Sequence, residues 1–232
     1  MIENNQKLGS LSSGKNFDRT QSWVERSDQI SNSNTGIFIQ ISLPAKISGF
    51  YGLKEFNFMN CEMSGMFGPN LAKCISFYNT DWVKNEKYFS MPTNGIQKVT
   101  IPTSAVYKIT AFGAGWQNYG AMAKSNVKLE NGTQIYVGIG QRGKHISDGC
   151  GGTFVTFRKN GKFVPLIIAG GAGGGDYENE YGNGSTDEFG KKSDSIEESN
   201  RNIGKGGKSG YSNCYNGGNG FEGEINENWE KT

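Results

Sequence analysis

Histidine occurs once in these 232 residues, at His145, and proline only five times. A single imidazole leaves little material for zinc sites or for histidine-based acid–base relays. None of the four cysteines, Cys61, Cys74, Cys150 and Cys214, belongs to a C-x-x-C pair, which removes the zinc-ribbon and thioredoxin-like readings. There is no G-x-S-x-G nucleophile elbow. No apolar stretch approaches the roughly 20 residues of a membrane helix. The polar start MIENNQKLGSLSSGKNF has no apolar h-region of a secretion signal. Lys and Arg form no run, and the formal net charge is +2, so nucleic acid is not an expected partner. Adjacent carboxylates such as Glu197 and Glu198 fall in a polar stretch where a solvated charge run is the ordinary reading. These residues suggest no catalytic constellation, no metal set and no cofactor.

What the chain has is glycine: 35 residues, mostly after Phe112. The segment Phe163 to Gly175, FVPLIIAGGAGGG, poses the question most sharply. Its first half is a short apolar run that reads as a buried strand. Its second half has almost no side chains. Glycine loses more conformational freedom on folding than any other residue, so such a run needs a physical reason. A phosphate-cradling loop, a linker, or backbone packed too closely for side chains would each supply one. A linker would be Ser-rich and lie between domains, whereas AGGAGGG follows directly from the strand. We therefore expect glycine segments lying side by side in an extended threefold conformation, joined by backbone N–H and weak Cα–H bonds to carbonyls. Gly170 to Gly175 and Gly204 to Gly223 are the candidate segments.

Taken in order, residues 1–35 are rich in Ser, Asn and Gln and read as a mobile arm or an incomplete upstream segment. Residues 36–223 read as one glycine-rich β domain containing an exposed loop at 176–203, and 224–232 as a polar tail. GIFIQISLPAKI alternates and predicts a strand ending near Pro44. Leu53 to Met59 predicts another, with Leu53, Phe56 and Phe58 toward the core. Strands are also expected over Ile96–Ile101, Val106–Phe112, Lys124–Glu130, Gln134–Ile139, Thr153–Arg158 and Phe163–Ile168. Asn131-Gly132 and Asn160-Gly161 each carry the signature of a tight hairpin turn. The fold class is all-β and antiparallel, with no helix between 95 and 175.

Three motifs need weighing. Gly138, Gly140 and Gly143 match G-x-G-x-x-G, and with Lys144 they approach a P-loop. Both motifs require a helix directly after the loop, but HISDGCGG follows, and His145 stands where a P-loop has Ser or Thr. A strand running into a glycine turn is the better reading. Cys61 and Cys74 enclose the turn-rich EMSGMFGPNLAK, so their ends can meet; a disulfide there would be worth roughly 3 kcal/mol in the chain-entropy model, the alternative being two buried thiols. Cys150 is open to a bond with Cys214, to plain burial, or to nucleophilic use if a base lies nearby. Asn131-Gly132-Thr133 and Asn183-Gly184-Ser185 fit the glycosylation triplet, which also arises by chance in an Asn-rich chain.

In combination these pieces resemble a family. FMNCEMSGMFGPNLAKC, Phe58 to Cys74, resembles the entry to the glycine-rich extracellular region of the anaplastic lymphoma kinase and leukocyte tyrosine kinase receptors. GIQKVTIPTSAVYKITAFGAG, IYVGIGQRG, GGTFV and PLIIAGGAGGG follow in the same order, so that the resemblance spans about Phe56 to Gly223. It implies a jelly-roll-like antiparallel sandwich, similar to tumour necrosis factor, fused to a bundle of polyglycine helices. It also implies a bond between Cys61 and Cys74 and a place at the cell surface. The expected partner is a small secreted protein or another surface protein, with ligand-driven dimerisation and membrane attachment only through segments outside this chain. The receptors of that family are protein-tyrosine kinases, and this chain carries no kinase signature. Trp116, Asn118 and Tyr119 interrupt GAGWQNYG where the family pattern has glycine. The family's ligand-contacting acidic residues have no match here, and none is carried over. A stand-alone adhesive or structural surface protein is the second expectation.

Overall fold

In AVYKITAF, residues Tyr107, Ile109 and Ala111 are fully buried while Val106 and Lys108 face solvent, the period-two pattern of a strand with one face on a core. The computed structural model describes residues 22–23, 38–42, 50–65, 67–116, 118–143, 148–173 and 183–184, with backbone alone at 22–23 and 38–42. Ten strands form among the described residues: β1 (Ser22–Trp23), β2 (Phe38–Ser42), β3 (Glu55–Met59), β4 (Phe89–Thr93), β5 (Ile96–Thr100), β6 (Ala105–Phe112), β7 (Met122–Leu129), β8 (Gln134–Gly138), β9 (Thr153–Lys159) and β10 (Lys162–Ala169). They build two five-stranded sheets, β1-β7-β6-β2-β3 and β10-β9-β8-β5-β4, in which every pairing is antiparallel. One buried cluster draws on both: Phe58, Tyr107, Ile109 and Val127 from the first, Val99, Ile135, Val137 and Val155 from the second. The all-β antiparallel expectation is met, and no helix occurs among the described residues from 95 to 173.

Strand positions were more legible than pairings. Asn160-Gly161 makes the expected hairpin: both residues have positive φ (52° and 78°), and Lys159 pairs with Lys162. Asn131-Gly132 does not. β7 belongs to the first sheet and β8 to the second, so this turn is a corner between sheets. Its polar groups are used for that purpose. Gly132 N donates to Ile101 O (2.8 Å), Ile101 N to Thr133 O (2.8 Å), and Asn131 N to Ser104 Oγ (2.9 Å). The corner is thereby zipped to the connection from β5 to β6, which crosses between sheets in the same place. The tight turn absent from our expectations is Asn94-Gly95, joining β4 to β5. Leu53 also departs from expectation: it lies before β3 and is exposed.

Inside the cysteine-flanked segment a helix forms, α1 (Leu71–Tyr78). Asn70 caps its first turn, the side chain accepting from Lys73 N at 2.9 Å, and Asn79 ends it in the left-handed conformation (φ 46°). The Cys61–Cys74 disulfide ties the helix to the end of β3, with Cα atoms 5.3 Å apart. A second tie is polar. Tyr78 hydroxyl accepts from Met59 N (2.8 Å) and donates to Gln97 Oε1 (2.7 Å), and Gln97 Nε2 donates to Met59 O (2.8 Å). Gln97 is a fully buried amide in the middle of β5, tolerated because both ends of the side chain are bonded. The triad thus joins the helix, the first sheet and the second. Around it, Tyr51 stacks on Trp82 (centroids 4.6 Å apart), and Phe50, Phe56, Phe58 and Phe89 pack edge-on against the Trp82 indole.

Two predictions follow from these ties. Cys61→Ser should lower unfolding free energy by roughly 3 kcal/mol under oxidising conditions and by much less in dithiothreitol, read by urea denaturation. Burial above all holds the Tyr78 phenol above its ordinary pKa of 10.0. The fold therefore favours the protonated ring, and that stability is complete below pH 10 and declines as pH rises beyond it. Tyr78→Phe should cost about 1–3 kcal/mol at neutral pH, since it strands Met59 N and Gln97 Oε1, and should lessen the alkaline loss without abolishing it, because burial also raises the Tyr51 and Tyr107 phenols. A denaturation midpoint independent of pH above 10 in the parent protein would contradict this.

Candidate functional site

Beyond the ends of β6, β8 and β10 the chain leaves both sheets and side chains largely disappear. Ala114 N donates to Gly151 O (3.0 Å), Ala172 N to Ala114 O (2.8 Å), and Cys150 N to Ala172 O (2.8 Å). Each of three segments therefore bonds to both of the others. A flat sheet cannot do this, because its first and third strands never meet; the arrangement is triangular. A second set adjoins it: Gly113 N donates to Ala121 O (2.9 Å) and Ala121 N to Gly170 O (2.8 Å), while Gly151 N donates to Gln141 O (2.9 Å).

The glycines here are required by approach, not by dihedral angle. A Cβ on Gly113 would collide with Gly170 O, one on Gly171 with Cys150 O, one on Gly140 with Gly151 O, and one on Gly120 with Gly113 O. In each case the obstacle is backbone, which cannot rotate away. Gly161 is the opposite case: space around it is open and only its φ demands glycine. Among the described residues the buried apolar side chains here are small: Ala114, Cys150 and Ala172.

The interruptions of the glycine pattern take part in the packing. Asn118 is buried and its Nδ2 donates to Gly173 O (3.3 Å). Asn183 Oδ1 accepts from Tyr119 N (2.8 Å), and Gly184 N donates to Tyr119 O (2.6 Å). An asparagine side chain is a peptide group on a short stem, so it can stand where another backbone segment would lie. Trp116 instead faces solvent, with the Arg142 guanidinium 4.7 Å from its ring centroid. The disulfide loop closes over the same region: Gly65 N donates to Arg142 O (2.8 Å) and Gln141 Nε2 to Phe67 O (3.3 Å). Phe67 is 71% exposed and Trp116 42%, so a rim of Phe67, Trp116 and Arg142 stands on a backbone-built platform. Sequence reasoning singled out none of these as surface residues; an aromatic inside a glycine run was the available signal.

The other residues singled out from the sequence fall as follows. Cys61 and Cys74 are bonded. Cys150 is a free, buried thiol; Cys214, the partner considered for it, lies outside the described residues. Burial pushes the Cys150 thiol pKa up, against smaller lowering effects of the Gly143 backbone and Arg142, so the nucleophilic thiolate is disfavoured. Gly138, Gly140 and Gly143 run from β8 into the packed segments. Asp148 to Gly152 is not helical and β9 starts at Thr153, while Lys144 and His145 lie outside the described residues. Asn131 is exposed at the inter-sheet corner, and Asn183 is held by its bond to Tyr119. The run at 204–223, the loop at 176–203, the tail at 224–232 and Glu197 and Glu198 fall outside the described residues, as does all of 1–35 except Ser22–Trp23, which pairs with β7. Among the described residues no group of three His, Cys, Asp or Glu could hold a metal, and no helix is long and apolar enough to cross a membrane. No protein-family model matches the chain.

The close approach has a measurable consequence. Gly113→Ala and Gly171→Ala should each cost about 2–3 kcal/mol through overpacking. Gly161→Ala, strained only in φ, should cost about 1–2 kcal/mol. Urea denaturation of the three variants checks the order, and equal losses would refute the distinction.

Proposed function

We propose that the chain is an extracellular recognition module similar to the glycine-rich ectodomain of the anaplastic lymphoma kinase and leukocyte tyrosine kinase receptors. In this reading the two sheets are a jelly-roll-like sandwich, and the triangular packing is a short bundle of polyglycine type. The partner is a secreted or surface protein. The observation that carries the reading is the joint placement of the resembling motifs. FMNCEMSGMFGPNLAKC lies across IYVGIGQRG through the Gly65 and Gln141 hydrogen bonds, and GAG, CGG and AGGAG bond to one another as extended backbone. Motifs scattered over about a hundred residues thus form one end of the molecule. The disulfide supports an oxidising compartment, where such bonds persist.

The rim of Phe67, Trp116 and Arg142 is the surface we assign to partner contact, since aromatic residues and arginine dominate binding hot spots. Antibodies against the folded protein should label intact, unpermeabilised cells of the source organism or their medium. Labelling that appears only after permeabilisation would overturn the extracellular reading.

A further inference from the structure

Asparagine followed by glycine is prone to spontaneous deamidation, because glycine has no Cβ to shield its own amide nitrogen. That nitrogen, once it has lost its proton, is the nucleophile. The side-chain amide carbon of the asparagine is the electrophile. Four such dipeptides lie among the described residues: Asn94-Gly95, Asn131-Gly132, Asn160-Gly161 and Asn183-Gly184. Asn216-Gly217 and Asn219-Gly220 fall outside them. The fold treats the four differently.

In three of them the nucleophile is held. Gly95 N donates to Pro69 O (2.8 Å), Gly132 N to Ile101 O (2.8 Å) and Gly184 N to Tyr119 O (2.6 Å). In two of these the electrophile is held as well. Asn131 Nδ2 donates to Pro102 O, and Asn183 Oδ1 accepts from Tyr119 N (2.8 Å). An amide hydrogen committed to a carbonyl is removed less readily, and a side chain fixed at its tip cannot swing onto the nitrogen. Asn160-Gly161 is the exception. Among the described residues neither Gly161 N nor the Asn160 side chain makes a hydrogen bond. Both residues are exposed at the tip of the β9–β10 hairpin, and the space where a Gly161 Cβ would sit is open. A hairpin tip with few contacts opens locally at little cost. The turn can therefore leave its positive-φ geometry and bring the two reacting groups together.

We propose that Asn160 is a self-modification site: of these four asparagines it is the one that deamidates in the folded protein. Gly161 N passes its proton to hydroxide and bonds to Asn160 Cγ. The bond from Cγ to the side-chain nitrogen breaks, and that nitrogen leaves as ammonia. The resulting five-membered succinimide takes up water at either carbonyl, giving aspartate or isoaspartate at position 160. The sum is one water in and one ammonia out, with no change of oxidation state. Each product adds one carboxylate, so the formal net charge falls from +2 to +1. Isoaspartate also lengthens the main chain by one methylene, inside a two-residue turn whose flanks, Lys159 and Lys162, pair directly. The β9–β10 hairpin is thus the part of the fold that records the age of the chain. The proposal is independent of the recognition reading and of the location.

The test incubates the full chain in mildly alkaline buffer and follows chymotryptic peptides by mass spectrometry. Synthetic peptides distinguish the aspartyl from the isoaspartyl product. In the folded chain Asn160 should react about tenfold faster than Asn94, Asn131 or Asn183, the factor that one net hydrogen bond is worth. In enough urea to unfold the chain the held glycine amides are released, and the four rates should converge to within about threefold. Asn160→Gln should remove the fast reaction and leave the other three rates as they were, with a thermal melt to show that the variant is folded. Reaction of Asn94, Asn131 or Asn183 as fast as Asn160 in the folded chain would overturn the proposal. So would a lead for Asn160 that persists undiminished in urea, since the flanking residues and not the fold would then set it. Neither outcome bears on the labelling of intact cells, so the two readings fall separately.

Discussion

The ring of hydrogen bonds among Ala114, Cys150–Gly151 and Ala172 is the constraint on which the glycine end depends. Buried backbone must be hydrogen-bonded, and where the strands end the two sheets no longer do this. Triangular packing solves the problem by letting each segment bond in two directions at once. It works only if backbones approach closely, and that excludes Cβ atoms at Gly113, Gly120, Gly140 and Gly171. Composition, geometry and hydrogen bonding are here one requirement. Among the described residues the apolar cluster here is small, Ala114, Cys150 and Ala172, so the covalent and packing strength lies elsewhere.

It lies at the other side of the cysteine-flanked loop. The disulfide, the Tyr78–Gln97–Met59 hydrogen bonds and the aromatic cluster around Trp82 fasten α1 to both sheets. The same loop then reaches the glycine end through Gly65 and Phe67, and the β4–β5 turn through Gly95 N, which donates to Pro69 O at 2.8 Å. A side chain on Gly68 would run into the Gly95 backbone, so this contact too is backbone on backbone. The loop is the mechanical link between a conventional aromatic core and a region with almost no core.

The sequence carried the strands well because their signal is local. Alternation in AVYKITAF or IQKVT belongs to the strand itself. It carried partners poorly because pairing is decided elsewhere. Asn131-Gly132 and Asn160-Gly161 are the same dipeptide with the same kind of flanks. One closes a hairpin and the other turns a corner, because Ile101 and Ser104 stand ready to bond the corner. Helix α1 had signals at both ends, Asn70 and Asn79, but its body LAKCISFY holds a cysteine, a β-branched residue and two aromatics, and the expected disulfide loop absorbed it. Gln97 reads as solvent-facing in isolation; only the distant Tyr78 and Met59 explain its burial. At the glycine end, the expectation of packed backbone came from the residues themselves. The role of Asn118 and Asn183 as substitute peptide groups did not, since it depends on where Gly173 and Tyr119 lie.

A scaffold made of backbone separates stability from surface identity. In an ordinary sandwich a strand residue has one face in the core and one in solvent, so a surface change is felt by its packed neighbours. Here the described interior of the glycine end holds few side chains, Ala114, Cys150, Ala172 and the Asn118 amide, and residues such as Trp116 and Phe67 are held by main-chain bonds on either side. They can vary without altering the hydrogen bonds beneath them, whereas a single methyl group at Gly113 or Gly171 disturbs the whole ring. Recognition is therefore expected where side chains survive. Under the proposed recognition role, that means the rim above the platform.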